Sequence, residues 1–416
     1  MKTLALAWRY LWARPLATAL NLLLLTLGLA AITLVLLTRA QLDRAFERDL
    51  AGIDAVVGAK GSPLQLILAG VFHLDVPPGN ILLRDAQALA KDARVAELIP
   101  LSLGDSYRGF RIVGTTHAYA KHYGAQVAQG RLWQASMEVV LGHQAAAATG
   151  LQAGQSFAGA HGLGDSGDAP GHAAHPYEVV GVLAPCGCVL DRLLLTATES
   201  VWEVHEVHHP QAEPHAHEHH AHGPKTAARA APEADPREIT LALVRYRSPL
   251  AAATFPRHVN TTTRMQAAAP ALEISRLLRM VGVGADVLRG FAAVLLLTAG
   301  LSVFIALWSA VRERREDLAL LRMLGAPPRR LAALLLGEAL WLAGLATALG
   351  LLGGHLLAGL LGYLLAAEQS LPMTGWLWLV EELWVPALAL TVAVLAALLP
   401  ALGAYRVDAA QLLNSR

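Results

Sequence analysis

The chain has 416 residues, of which 55% are hydrophobic and 16% charged, with 33 Lys and Arg against 32 Asp and Glu. Soluble domains run nearer a quarter charged, so the composition points first to a membrane protein. The near-balance of charge argues against a nucleic-acid binder, because phosphate recognition needs clustered Lys and Arg without matching acids.

Met1 to Arg14 looks like a signal-peptide n-region. The apolar run behind it is too long for an h-region and lacks a small-x-small cleavage site, so it reads as a retained helix. A bilayer core of about 30 Å takes about 20 apolar residues in a helix, since no water is there to satisfy an open backbone. Four segments qualify, placed at residues 16–40, 287–311, 331–366 and 383–405. Lys2, Arg9 and Arg14 precede the first, and Arg312, Arg314, Arg315, Arg322, Arg329 and Arg330 fill the segment 312–330, whereas Glu368 to Glu382 holds no Lys or Arg. Positive flanks stay cytoplasmic. Both the segment 1–15 and the tail 406–416 are therefore expected inside, and 41–286 and 367–382 outside an inner (cytoplasmic) membrane.

Within 41–286 the pattern changes to short β-like runs punctuated by Gly and Pro. Strands are expected at Ile53–Val57, Gly109–Val113, Met137–Leu141, Tyr177–Leu183, Leu193–Thr196 and Ile239–Tyr246, with helices at Arg84–Ala93, His143–Thr149 and Leu272–Val281. The interleaving implies a mixed α/β extracytoplasmic domain. Cys186 and Cys188 flank Gly187; they close a local disulfide, serve as soft metal ligands, or stay small buried residues. Residues 205–237 form a His-rich loop in which His215, His217, His219, His220 and His222 offer imidazoles to a metal such as zinc.

Between the second and third spans, Leu318, Leu321 and Leu324 recur at helical spacing beside a charged face, Gly325 ends the run, and Pro327-Pro328 turns the chain. A short amphipathic helix at the membrane surface follows. Glu338 is the ionisable residue embedded early in the third span, where it snorkels or pairs with Arg329 or Arg330. His355, further along, sits in a proton or ion path or is a satisfied bundle-interior imidazole, the second reading being preferred, and Gly350, Gly353 and Gly354 suggest a seam between two copies. No Gly-x-x-x-x-Gly-Lys-Ser/Thr loop occurs, and Gly104-Asp105-Ser106 and Gly164-Asp165-Ser166 read as turns, so no enzymatic activity is expected of the chain itself.

Three stretches resemble the FtsX-like, or MacB-like, ABC transporter permeases. Arg315-Glu316-Asp317-Leu318-Ala319-Leu320-Leu321-Arg322-Met323-Leu324-Gly325-Ala326, followed by Glu338, is similar to the family's coupling helix and the acidic residue after it. Leu399-Pro400-Ala401 with Ala404, Arg406, Asp408, Ala409 and Leu412 resembles the family's ending. Gly58-Ala59-Lys60-Gly61-Ser62-Pro63-Leu64-Gln65 with His73, Asp75, Pro77, Gly79 and Asn80 looks like a subgroup signature. The resemblance implies four transmembrane helices with a MacB-like periplasmic core and a homodimeric permease carrying no cofactor of its own. Its coupling residues, Arg315, Glu316, Leu318, Leu321, Arg322, Leu324, Gly325 and Glu338, would face a dimer of ABC ATPase subunits that bind ATP and Mg. Implied partners are a second copy, membrane lipid, and a periplasmic substrate-binding or adaptor protein. The cysteine pair and the His tract depart from the family pattern and leave the cargo open.

Overall fold

The computed structural model describes residues 2–162, 175–206, 237–313, 323, 327–367 and 373–405. The chain divides into two units, one of Met1–Arg44 with Arg279–Arg416 and one of Ala45–Leu278.

The first unit is helical. A short helix α1 (Lys2–Leu11) precedes α2 (Pro15–Leu50), α3 (Pro270–Glu313), α4 (Pro328–Ala367) and α5 (Trp384–Tyr405). Three of the four long helices begin at a proline, whose fixed φ suits the first turn and whose missing N–H would have no partner there. All four carry stretches long and apolar enough to cross a membrane. The unit's core uses small residues, Ala299, Ala339, Ala343, Ala346, Ala389, Ala393 and Ala397, among Leu25, Leu29 and Leu335. Large side chains such as Leu297, Leu356 and Leu395 point outward. That arrangement suits lipid, which competes for leucine but not for close backbone contact. A Cβ on Gly354 would lie 2.5 Å from Thr33 Cβ, and one on Gly350 would lie 2.7 Å from Leu29 Cβ. These glycines therefore seat α4 on α2 of the same chain, instead of forming the seam between copies that their spacing suggests. The sequence pattern leaves Lys2–Leu11 as a cytoplasmic tail; as α1 it packs, with the Trp8 ring meeting Trp341 at 5.0 Å and Trp341 Nε1 donating to the Leu4 carbonyl at 3.1 Å.

The second unit is built on an eleven-stranded mixed sheet. Its main strands are β1 (Ala55–Ala59), β2 (Val95–Tyr107), β3 (Phe110–Thr115), β4 (Val127–Gly130), β5 (Glu138–Leu141), β6 (Tyr177–Leu183), β7 (Leu193–Ala197), β8 (Leu241–Tyr246) and β9 (Met265–Ala268), with spatial order β9-β1-β8-β2-β3-β7-β5-β6-β4. The pairs β3–β7 and β5–β6 are parallel, the others along this path antiparallel. Helices Leu83–Ala90, His143–Thr149 and Ala251–Thr262 cover it, burying one core around Val57, Val244 and Phe255 and another around Ile112, Leu141 and Tyr177. The expected run Ile53–Val57 starts later, at Ala55, because Gly52 turns with φ +77° and the Asp54 N–H already bonds the Val244 carbonyl. Strand β2 is absent from the expected set, since Pro100 and Gly104 interrupt its pattern. Gly104-Asp105-Ser106, expected as a turn, lies inside it; Gly164-Asp165-Ser166 lies outside the described residues.

Candidate functional site

Helix α3 is described as far as Glu313, and α4 begins at Pro328. Of the intervening site residues, Arg315, Glu316, Leu318, Leu321, Arg322, Leu324 and Gly325 lie outside the described residues, while Met323 is helical and exposed. The Arg330 N–H donates to the Pro327 carbonyl at 2.8 Å, which starts α4 at the second of the paired prolines. Arg14 forms an ion pair with Glu313 and so ties the start of α2 to the end of α3.

Glu338, buried at 5% exposure, lines a small cavity of about 40 Å³ with Tyr10, Arg14, Thr18 and Asn21 on one side and apolar side chains such as Val303, Leu307 and Leu342 on the other. The sequence has Glu338 snorkel or pair with Arg329 or Arg330; Arg14 lines the same cavity. Thr18 Oγ1 donates to the Leu11 carbonyl at 2.6 Å, and the buried Asn21 Oδ1 has no hydrogen-bond partner among the described residues. A cavity of this size takes water, and a hydrated polar niche lowers the cost of a carboxylate at membrane depth. The segment that resembles a coupling helix is thus followed, early in α4, by a carboxylate enclosed between α2, α3 and α4.

In the second unit Cys186 and Cys188 are joined in a disulfide. Gly187 between them adopts φ +61°, a conformation that glycine takes without steric cost. Asp191 Oδ1 accepts the Cys186 N–H at 3.0 Å and Oδ2 the Gly187 N–H at 2.7 Å, so a buried carboxylate caps the loop. Arg48 and Asp49, in the part of α2 that belongs to this same unit, meet the loop. Arg48 donates to the Gly187 carbonyl, Asp49 Oδ1 accepts the Val189 N–H at 3.0 Å, and Tyr123 donates to the Asp49 carbonyl at 2.8 Å. Burial lowers the Arg192 pKa against the pull of Asp49 and Asp191. The sequence singles out the cysteines but misses Arg48, Asp49 and Asp191. The available signal is an acid three residues after the second cysteine.

The stretch resembling a subgroup signature has structural work. Ser62 caps helix Pro63–Gly70, Gln65 Nε2 donates to the Val76 carbonyl at 2.8 Å, and the Gly61 N–H donates to Gln266 Oε1 at 2.8 Å. His73, at φ 55°, is buried with Nε2 3.0 Å from the Tyr119 hydroxyl, and its Nδ1 has no hydrogen-bond partner among the described residues. Burial, reinforced by Arg111 and Arg192, holds this imidazole well below its usual range.

His215, His217, His219, His220 and His222 lie outside the described residues, and no group of three or more His, Cys, Asp or Glu that could hold a metal occurs among the described ones. A zinc site therefore has no structural support, and the cysteines are occupied by their own bond.

No curated protein matches the chain in sequence. Among solved structures, it is similar to the periplasmic region of MacB from Actinobacillus actinomycetemcomitans at 14% identity, covering 55% of this chain and 95% of that one with TM-score 0.33. It is likewise similar to the extracellular domain of the noncanonic ABC-type transporter YknZ from Gram-positive bacteria at 11% identity, covering 52% and 98% with TM-score 0.30. Residues 18–246 match the MacB-like periplasmic core domain, and residues 289–409 match the FtsX-like permease C-terminal region. With these two regions taking up most of its length, the chain belongs to the family of MacB-like and FtsX-like permeases, the membrane components of ABC-type transporters.

Proposed function

We propose that this permease couples ATP hydrolysis by a separate pair of ABC ATPase subunits to movement of its extracytoplasmic domain. In this reading two copies sit in the inner membrane with both termini cytoplasmic, and the work is done on a substrate outside it. The observation that carries it is the position of residues 315–326, a charged amphipathic segment inside the matched region 289–409, between two helices long enough to span. Arg315, Glu316, Leu318, Leu321, Arg322, Leu324 and Gly325 would make the contact with the ATPase, and Glu338 would hold the start of α4. In this reading the segment passes a push from the ATPase to the two helices that flank it.

The test is co-purification of the chain with its ATPase and measurement of nucleotide hydrolysis in lipid. Leu321→Asp and Arg322→Glu should each reduce stimulated hydrolysis about tenfold or more, a loss of about 1.4 kcal/mol of coupling per decade. Unchanged stimulation in both variants, or failure of the intact chain to bind any ABC ATPase, rejects the reading.

A further inference from the structure

His355 and Glu382 are both buried, at 8% and 5% exposure, and they meet across the first unit. Nδ1 of His355 lies 2.7 Å from the Gly375 carbonyl, and Nε2 lies 3.1 Å from Glu382 Oε2. Glu382 Oε1 accepts the Leu379 N–H at 3.1 Å. A carbonyl oxygen only accepts, so Nδ1 carries a proton. A neutral imidazole protonated there would turn its Nε2 lone pair toward a carboxylate lone pair. Bonding at this distance needs one more proton, held on Nε2 or on Oε2.

The segment that this pair fastens lies flush on α4. A Cβ on Gly375 would come within 2.3 Å of the His355 carbonyl oxygen, and one on Gly362 within 2.1 Å of the Met373 carbonyl oxygen. Gln41 of α2 adds a two-way amide bond, Nε2 to the Thr374 carbonyl at 3.0 Å and Thr374 N–H to Oε1 at 2.7 Å. Beside the pair opens a cavity of about 690 Å³, with Leu352, Leu356 and Leu360 on the α4 wall and Met373, Trp376 and Trp378 on the other. His355 lines this cavity, and its bond to Gly375 joins the two walls.

We propose that His355 and Glu382 form an intramembrane proton-binding site, and that the proton they share latches residues 373–383 onto α4 and narrows the adjacent cavity. When that proton leaves to water, two acceptors face each other at hydrogen-bond distance in a poorly solvated place. Neither can rehydrate without separation, so the bridge between the walls opens.

Other ionisable groups on the packed elements leave the shared proton to this pair. From residue 339 onward α4 brings only the exposed Tyr363 besides His355, α5 brings only Tyr405, and the segment itself adds the exposed Glu381. On α2, Arg39 and Asp43 pair with each other at 3.7 Å, and Gln41 is neutral.

The experiment places a reporter under the latch. Leu377, half-buried against Leu37 and Ala358, is replaced by cysteine in the full-length chain in lipid nanodiscs, with the native disulfide intact. Its maleimide labelling rate is measured between about pH 6 and about pH 9. Each rate is divided by that of the same reporter in Glu382→Gln, whose amide bonds a neutral imidazole without titrating; this cancels the reporter thiol's own ionisation. The ratio should rise about tenfold from the acid to the alkaline end of that range. His355→Asn should label at pH 6 as fast as the parent does at pH 9. A ratio that stays constant, or a His355→Asn rate equal to the parent's at pH 6, overturns the proposal. Hydrogen exchange of the amides of residues 376–383, in the chain without the reporter, repeats the comparison should Leu377→Cys fail to fold, and equal exchange in parent and Glu382→Gln at both pH values overturns it as well.

Discussion

His73 combines a left-handed backbone, complete burial beside two arginines and a single hydrogen bond through Nε2. With its imidazole held well below the ordinary value of 6.5, the folded domain refuses a proton that the unfolded chain takes up. The unfolded state then binds more protons below that pH, so this residue's contribution to stability is complete above about pH 6.5 and is lost as the pH falls beneath it. Urea unfolding of the second unit in the full chain should therefore weaken by up to about 1.4 kcal/mol per pH unit on acidification. His73→Gln should flatten that slope, and parallel slopes in the two proteins would assign the acid sensitivity elsewhere. At the cysteine loop, Asp191→Asn keeps the shape but replaces one of two accepting oxygens by a donor facing an N–H. The cost should be about 1–3 kcal/mol, read as faster hydrogen exchange at the amides of residues 186–189 with the disulfide still formed. The sequence marks His73 and both cysteines as unusual. Of the three fates open to the cysteines the structure shows the disulfide, in a loop held by Asp191, close in sequence, and Arg48, far from it.

The elements divide by how local their cause is. Long helices such as α4 and α5 follow from uninterrupted apolar runs, and Tyr177–Leu183 and His143–Thr149 match their expected bounds to the residue because alternation and a closing Gly150 suffice. Strand β2 escapes sequence patterning because Pro100 lacks a donor, yet the strand still pairs on both sides, with Leu101 opposite Leu241 and Thr115. Tertiary pairing overrides a local penalty. The glycines of α4 are visible in the sequence, but their partner is not. Replacing Gly354 by Leu puts bulk where Thr33 Cβ already stands and should cost about 1–3 kcal/mol or more, whereas Gly344→Leu, whose Cβ would meet no atom within 4 Å, should be nearly neutral. Detergent-titration unfolding of the two variants side by side measures the difference, and equal losses would remove Gly354 from the α2–α4 contact.

For the whole molecule, charge asymmetry implies that residues 368–382 face outward and the N-terminus inward. In sealed cells an impermeant reagent should label Thr374→Cys but not an N-terminal tag until the membrane is opened, and the reverse pattern would invert the topology. Hydropathy over about 20 residues needs no tertiary information, which is why four helices long and apolar enough to span are legible from the chain alone, and the family resemblance rests on local motifs. The amphipathic period expected over 315–326 falls, apart from Met323, outside the described residues. What the sequence could not supply are the meetings between distant residues. Glu338 with Arg14 and Asn21 around one cavity, Arg48 with the Cys-Gly-Cys loop, Gly354 with Thr33, and His355 with Glu382 each join separate elements. A buried polar group is set by which partner satisfies it, and only the packed chain brings that partner within hydrogen-bond reach.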